Sequence, residues 1–234
     1  MNNKEVFKLG LKDGLPIGLG YFAVAFSLGI VASLAGLTAF QGFIASLTTE
    51  ASAGEYVAFK IMEAKGSYIE LILVTIITNA RYLLMSTAIS QRFREDMAFK
   101  HRLFMGHTIT DELFAITIAR PGKINPYYSY GAMSIACVLW ALGTALGITM
   151  GNVLPANIVS ALSVALYGMF LAAIIPPAKK DKIIAGVIVV SFIVSLLFDY
   201  LPFSISSGTK TIILTLLIAG GAALLFPVKE ENYE

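Results

Sequence analysis

Asn79 and Arg81 lie near the middle of an otherwise apolar segment, residues 71–90, which is about long enough to cross a bilayer as a helix. An arginine at that depth is costly unless it faces protein or a water-filled cavity, so it usually marks a functional site. On a helix, Asn79 and Tyr82 share one polar face, and Arg81 lies at its edge. These three side chains are therefore candidates for binding a substrate. The alternative is that Arg81 extends to a nearby layer of lipid headgroups.

A second group of polar residues interrupts the segment 42–64, where a spanning helix would have its centre. The group includes Glu50, Gly54 and Glu55. A helix facing lipid would not tolerate two carboxylates at this depth. The pattern predicts a broken or re-entrant element that lines a cavity, because transporters hold charged substrate groups at unwound backbone and free helix ends. The alternative is an interfacial loop whose glutamates are solvated.

A third polar group lies in residues 103–119, which form an amphipathic pattern too short for a typical span. Asp111 and Glu112 are candidates for the same site as the other carboxylates. His107 stands four residues before Asp111, so a metal site or an intramembrane enzyme built from these three residues is the competing hypothesis. It is disfavoured because no second histidine stands at ligand spacing and no nucleophile–base pair is recognisable. We therefore expect no metal and no cofactor.

The composition is that of a membrane protein. Of the 234 residues, 57 % are hydrophobic and only 14 % are charged, against about 25 % charged in soluble domains. Residues 15–49 and 124–178 contain no charged side chain. We expect one all-α membrane domain over residues 1–234. The net charge of +2 gives no reason to expect a nucleic-acid partner, and the single cysteine, Cys137, excludes an internal disulfide.

The apolar segments predict about six full spans and two re-entrant or broken helices. The six spans are residues 15–37, 71–90, 128–149, 158–175, 183–201 and 211–228, and the two interrupted elements are residues 42–64 and 103–119. If both interrupted elements re-enter, thirteen Lys and Arg residues of the loops lie inside and three outside, against eleven and five if both cross. The positive-inside rule favours the first arrangement, with both termini in the cytoplasm.

Two helices carry glycines at intervals of four residues. One set is Gly10, Gly14 and Gly18, and the other is Gly143, Gly147 and Gly151. Small residues at this spacing let two membrane helices approach closely, so we expect both sets to lie at helix contacts. Trp140, in the middle of its span, is expected to pack rather than to bind a ligand.

Three motifs resemble, in order and spacing, those of the AzlC family of branched-chain amino-acid permeases. Residues 79–86, NARYLLMS, resemble that family's Asn-x-Arg-His-x-Leu-Met-Ser; residues 110–114, TDELF, resemble its Thr-Asp-Glu-x-Phe; and residues 15–21, LPIGLGY, resemble its Leu-Pro-Ile-x-x-Gly-Tyr. Tyr82 stands where the family often has histidine, and Glu55 where glutamine is typical. The resemblance implies a secondary transporter that exports branched-chain amino acids with a small membrane partner of the AzlD family.

An amino-acid zwitterion needs a cation or a helix N-terminus for its carboxylate and an anion or carbonyls for its ammonium. Arg81 is the basic residue deep in a predicted span and is the candidate partner of the carboxylate. Glu50, Glu55, Asp111 and Glu112 would bind the ammonium or carry protons. The alternative is an internal ion pair between Arg81 and one of these carboxylates. A membrane scaffold without transport activity is disfavoured, because charged groups stand in separate apolar elements.

Overall fold

The structure is a computed structural model that describes residues 2–155, 157–158, 171, 174–200 and 207–227. These residues form helices and connecting turns without a β-strand, as the sequence predicts. Ten helices can be given bounds within the described ranges. They are α1 (Asn3–Leu34), α2 (Ala39–Thr49), α3 (Ser52–Glu63), α4 (Tyr68–Thr78), α5 (Arg81–Ser90), α6 (Phe99–His107), α7 (Asp111–Ile118), α8 (Pro126–Gly151), α9 (Lys182–Asp199) and α10 (Ser207–Leu225).

The two long helices α1 and α8 pack against each other along a seam of glycines. Gly10 faces the backbone of Tyr128 and Gly147 faces that of Phe26, so the two helices run parallel. A Cβ atom added at these glycines would overlap the facing helix, and the prediction of close packing is confirmed. The other members of this glycine seam are Gly14, Gly18, Gly29, Gly131, Gly143 and Gly151.

The helix α2 runs back along α8 towards its middle. Gly42 packs against Ile148, and Ser46 Oγ donates a hydrogen bond to Thr144 Oγ1 at 2.7 Å. The chain then reverses at Glu50, whose φ of 49° is in the left-handed region that ends many helices. The helix α2 thus ends about halfway along α8.

From this turn, α3 returns towards the end of α8 from which α2 came. Glu55, in its first turn, contacts Trp140, and Phe59, one turn later, packs in a cluster with Leu28, Val31 and Ile148. The residues 42–64 therefore form a broken hairpin, as predicted, which enters the bundle to mid-depth and leaves at the same end.

The helices α6 and α7 form a second broken hairpin from the opposite end. His101 Nδ1 lies 2.6 Å from the hydroxyl group of Tyr130, near the start of α8. The chain turns at Thr110, which contacts Tyr21 near the middle of α1. Ile118, at the end of α7, packs against the same cluster as Tyr130. The tips of the two hairpins therefore meet at the middle of the α1–α8 pair.

The segment 71–90, predicted as a single span, is not one continuous helix. It bends by 48° between α4 and α5, at Asn79 and Ala80. The hydroxyl groups of Thr75 and Thr78 bond back to carbonyls one turn earlier, a contact that often bends helices. Asparagine also competes for backbone hydrogen bonds and favours helix ends. The polar face noted in the sequence is the site of a break.

Arg92, which follows α5, is bound to the end of α7. Its guanidinium donates hydrogen bonds to the carbonyl oxygens of Arg120 (2.5 Å), Gly122 (2.6 Å) and Ile118 (3.3 Å). The last carbonyl groups of a helix lack hydrogen-bond donors within the helix, and here Arg92 supplies donors to them and to the carbonyls that follow. In the sequence, Arg92 is one of the thirteen basic residues expected on the cytoplasmic side.

Within the described residues, α1 and α8 are each long and apolar enough to cross a membrane, and the bent pair α4–α5 could form a third span. The helices α9 and α10 contain shorter apolar stretches. Most of residues 158–175 lies outside the described residues. The six full spans therefore stay a prediction.

Candidate substrate-binding site

Three helix breaks in the described part of the chain meet at one cavity of about 270 Å³ beside α1 and α8. The breaks lie between α2 and α3, between α4 and α5, and between α6 and α7. The cavity is lined by Pro16, Ile17, Gly20, Tyr21, Val24, Glu50, Ser52, Tyr82, Thr110, Asp111, Glu112 and Trp140. It combines an apolar wall from α1 with carboxylates from the two hairpin tips.

Glu50 ends α2 at the tip of the first hairpin. Its side chain lines the cavity although only 3 % of the residue is exposed. Its carboxylate interacts with the thiol of Cys137, but Oε1 has no hydrogen-bond partner among the described residues. Because an unpaired carboxylate oxygen is costly to bury, this atom is suited to accept a hydrogen bond from a ligand.

Glu55 lies behind the cavity wall. It is 1 % exposed, and its Oε2 accepts a hydrogen bond from Trp140 Nε1 at 2.9 Å. The Trp140 ring lines the cavity and contacts the Tyr21 ring edge-on, with 5.5 Å between the ring centroids. The tryptophan packs, as predicted, and also connects Glu55 to the cavity.

Arg81 forms an ion pair with Asp111. The distance from Arg81 Nη1 to Asp111 Oδ2 is 2.9 Å, and the side chains are 42 % and 43 % exposed. The guanidinium also lies over the Tyr82 ring, 5.3 Å from its centroid. Asp111 and Tyr82 line the cavity, whereas Arg81 contacts them from outside its lining. Of the three hypotheses for Arg81, the structure contains the internal ion pair.

Glu112 is held by Tyr21. The tyrosine hydroxyl donates to Glu112 Oε2 at 2.5 Å and lies 2.5 Å from Thr110 Oγ1. A tyrosine hydroxyl carries one proton, so the Thr110 hydroxyl is the donor of the second contact. Thr110 also caps α7 by accepting a hydrogen bond from the backbone of Leu113. These bonds join α1 to the tip of the second hairpin.

Asn79 lies at the break between α4 and α5 and packs against Gly54, in the first turn of α3. A Cβ atom at Gly54 would lie 2.6 Å from Asn79 Nδ2, so the glycine permits this contact. Asn79 does not line the cavity, but it brings α3 and the α4–α5 break together.

Four of the predicted site residues line the cavity, and three lie behind them. The first group is Glu50, Tyr82, Asp111 and Glu112, and the second is Asn79, Arg81 and Glu55. Sequence reasoning missed the lining residues from α1 and the role of Trp140. Tyr21 and Thr110 belong to two of the three motifs, and these motifs are the signal in the sequence that indicates them.

The structure gives no support to a metal site among the described residues, which contain no group of three potential ligand side chains. His107, the candidate ligand and candidate base, is exposed and does not line the cavity. The enzyme hypothesis therefore lacks a histidine at the cavity.

We expect Arg81→Ala to destabilise the protein because Asp111 loses its partner. The pair is half-exposed, so we expect a loss of about 1 kcal/mol, between the values for exposed and buried ion pairs. This corresponds to a fall of about 2–4 °C in melting temperature for a chain of this size. Adding Asp111→Asn should restore most of the loss, which thermal unfolding in detergent would measure as a double-mutant cycle.

Arg94→Ala is the matched control, since Arg94 pairs with Asp96 where both side chains are at least 65 % exposed. It should leave the melting temperature nearly unchanged. Equal effects of Arg94→Ala and Arg81→Ala, or no recovery with Asp111→Asn, would show that the Arg81 pair does not stabilise the fold.

Comparison with known proteins gives a consistent family. A family model described as AzlC protein matches residues 16–154. An uncharacterized membrane protein of Archaeoglobus fulgidus is 28 % identical over 189 residues, covering 80 % of this chain and 83 % of the relative. Inner membrane protein YgaZ of Escherichia coli is 24 % identical over 221 residues, covering 91 % and 90 %. No solved structure matches this chain. The matched region contains all three helix breaks and the cavity, and this membrane protein belongs to the AzlC family.

Proposed function

We propose that this chain is a secondary transporter that exports branched-chain or other small hydrophobic amino acids across the cytoplasmic membrane. It is coupled to protons, works with a small membrane partner of the AzlD family, and has both termini in the cytoplasm. The substrate, the direction and the partner rest on the resemblance of the three motifs. The positive-inside rule supports the orientation.

The composition of the cavity is the observation that carries this proposal. Pro16, Ile17 and Val24 provide an apolar wall, while Glu50 and Asp111 provide carboxylates at the two hairpin tips. A hydrophobic amino acid likewise combines an apolar side chain with charged ammonium and carboxylate groups. The volume of about 270 Å³ is near the lower limit of about 300 Å³ for ligand pockets, which favours a small substrate.

The arrangement of the two hairpins supports alternating access. The α2–α3 hairpin reaches the cavity from one end of the α1–α8 pair and the α6–α7 hairpin from the other. In a membrane, both would be re-entrant elements whose broken backbone is shielded by protein, as in other transporters. Movement of either tip would open the cavity to one side.

Counterflow in liposomes tests the proposal. Purified chain, alone and with an AzlD-family partner, is reconstituted into liposomes loaded with unlabelled leucine, isoleucine or valine. We expect labelled branched-chain amino acids to enter by exchange, while labelled lysine and glutamate should not. Liposomes without the chain are the control. Monodisperse protein that exchanges no amino acid under either condition would overturn the proposal.

A further inference from the structure

We propose that the substrate binds with its carboxylate at the N-terminus of α3 and its ammonium group at Glu50, without contact to Arg81. This orientation rests on the proposed function and names the groups that recognise the two charges. It replaces the sequence-based hypothesis that Arg81 binds the carboxylate.

The N-terminus of α3 presents unpaired backbone donors to the cavity. The first amides of a helix have no partner within the helix, and its dipole favours negative charge there. Ala51, at the N-cap position, makes no side-chain hydrogen bond to these amides. Ser52, the first residue of this 12-residue helix, lines the cavity. A substrate carboxylate can therefore act as the missing cap.

Glu50 is an independent indication of a ligand at the same place. It lies two residues before Ser52, lines the cavity, and has an oxygen atom buried without a partner among the described residues. An ammonium group provides donors for such an atom. The ammonium and carboxylate groups of an amino acid are attached to the same carbon atom. Binding groups only two residues apart, at Glu50 and Ser52, therefore match their spacing.

The other charged groups at the cavity are already paired. Asp111 bonds to Arg81, and Glu112 accepts a hydrogen bond from Tyr21. Arg81 is thus neutralised by Asp111 and lies outside the cavity lining. With the two charges at Glu50 and α3, the substrate side chain is directed towards the apolar wall from α1.

Ser52→Pro deletes one of the proposed donors without breaking the helix. Proline is favoured at the first position of a helix, where its missing N–H would have no helical partner. The preceding residue, Ala51, has an extended backbone (φ −145°, ψ 94°) and not the helical one that a following proline disfavours. Ala39→Pro, at the first position of α2 away from the cavity, is the matched control. Ser52→Ala, which removes the hydroxyl group but keeps the amide, is the reference with which Ser52→Pro is compared.

The test is equilibrium binding of four ligands to the purified full chain. They are leucine, leucinamide, isoamylamine, which lacks the carboxylate, and isocaproate, which lacks the ammonium. We expect Ser52→Pro to weaken the binding of leucine and isocaproate by about tenfold, as loss of a charge-assisted hydrogen bond implies. The binding of leucinamide, whose neutral carbonyl oxygen can still accept this hydrogen bond, should weaken less, and that of isoamylamine should not change. Glu50→Gln should weaken the binding of leucine, leucinamide and isoamylamine but not the binding of isocaproate. Ala39→Pro should bind all four ligands like the wild type, and Ser52→Pro should bind leucine and isocaproate about tenfold more weakly than Ser52→Ala does.

The outcomes separate this inference from the proposed function. A wild type that binds no amino acid and shows no counterflow overturns both. Two results would overturn only the orientation, provided that the wild type binds leucine. In the first, Ser52→Pro binds leucine as tightly as the wild type does. In the second, Ser52→Pro weakens the binding of isoamylamine as much as that of leucine. Selective loss of leucine and isocaproate in Arg81→Ala would also overturn the orientation. If Ser52→Pro fails to fold, the responses of Glu50→Gln to isoamylamine and isocaproate decide.

Discussion

Gly147→Val is expected to prevent this protein from folding to a monodisperse state. A side chain at Gly147 would overlap the Phe26 carbonyl and crowd Gly29 in the glycine seam. These obstacles are backbone atoms, so the two helices must separate, and we expect a loss of at least about 3 kcal/mol, at the upper end of overpacking effects. Detergent size-exclusion profiles and thermal unfolding would measure it.

Gly220→Val is the control for this variant. Gly220 lies in α10, and a Cβ atom there would meet nothing within 4 Å. It should give normal yield and a melting temperature close to that of the wild type. A stable, monodisperse Gly147→Val would mean that the close α1–α8 contact does not hold the fold together.

Glu55→Gln is expected to fold normally but to lose the coupling of transport to a pH gradient. Glutamine keeps the shape of glutamate, and its carbonyl oxygen can still accept the hydrogen bond from Trp140. An amide cannot take up or release a proton. A gradient of one pH unit can drive about tenfold accumulation per proton, and the variant should lose this accumulation while still exchanging leucine. The groups that interact with Glu55 are Ser46, Trp140 and Glu50.

Glu63→Gln is the matched control on the same helix, because Glu63 forms a surface ion pair with Lys60 at its C-terminal end. It should retain both exchange and accumulation. If Glu55→Gln accumulates leucine as the wild type does, Glu55 is not the proton carrier. If Glu63→Gln also loses accumulation, the effect is not specific to the buried carboxyl group.

The sequence predicted those parts of the fold that depend on local pattern. Glycines at intervals of four residues favour the close packing of apolar helices, and here they lie at the seam between α1 and α8. Glu50 and Glu55 could not face lipid, which favoured a broken element at residues 42–64 over a lipid-facing helix. In each case one physical cost points to the observed arrangement.

The pairing of charged groups could not be predicted in the same way. Arg81 had four acidic candidates at different positions in the chain, and its partner depends on how the hairpin tips meet. The break at Asn79 was missed because the apolar pattern continues through it, and tertiary contact with Gly54 accompanies the bend. Trp140 and Tyr21 were missed because aromatic residues in a span usually pack, and here they pack and donate hydrogen bonds as well.

The bonds of Arg92 have a mechanical consequence. The helices α5 and α7 are joined near the cavity by Arg81 and Asp111, and at their far ends by Arg92 and the carbonyls that follow α7. A single attachment would let one helix rotate relative to the other, whereas two separated attachments fix both the distance and the angle between the two helices. A displacement of the α7 tip must therefore carry α5 with it or first break the ion pair. If the ion pair stays intact, the bend at Asn79 and Ala80 is the point about which the joined helices would turn.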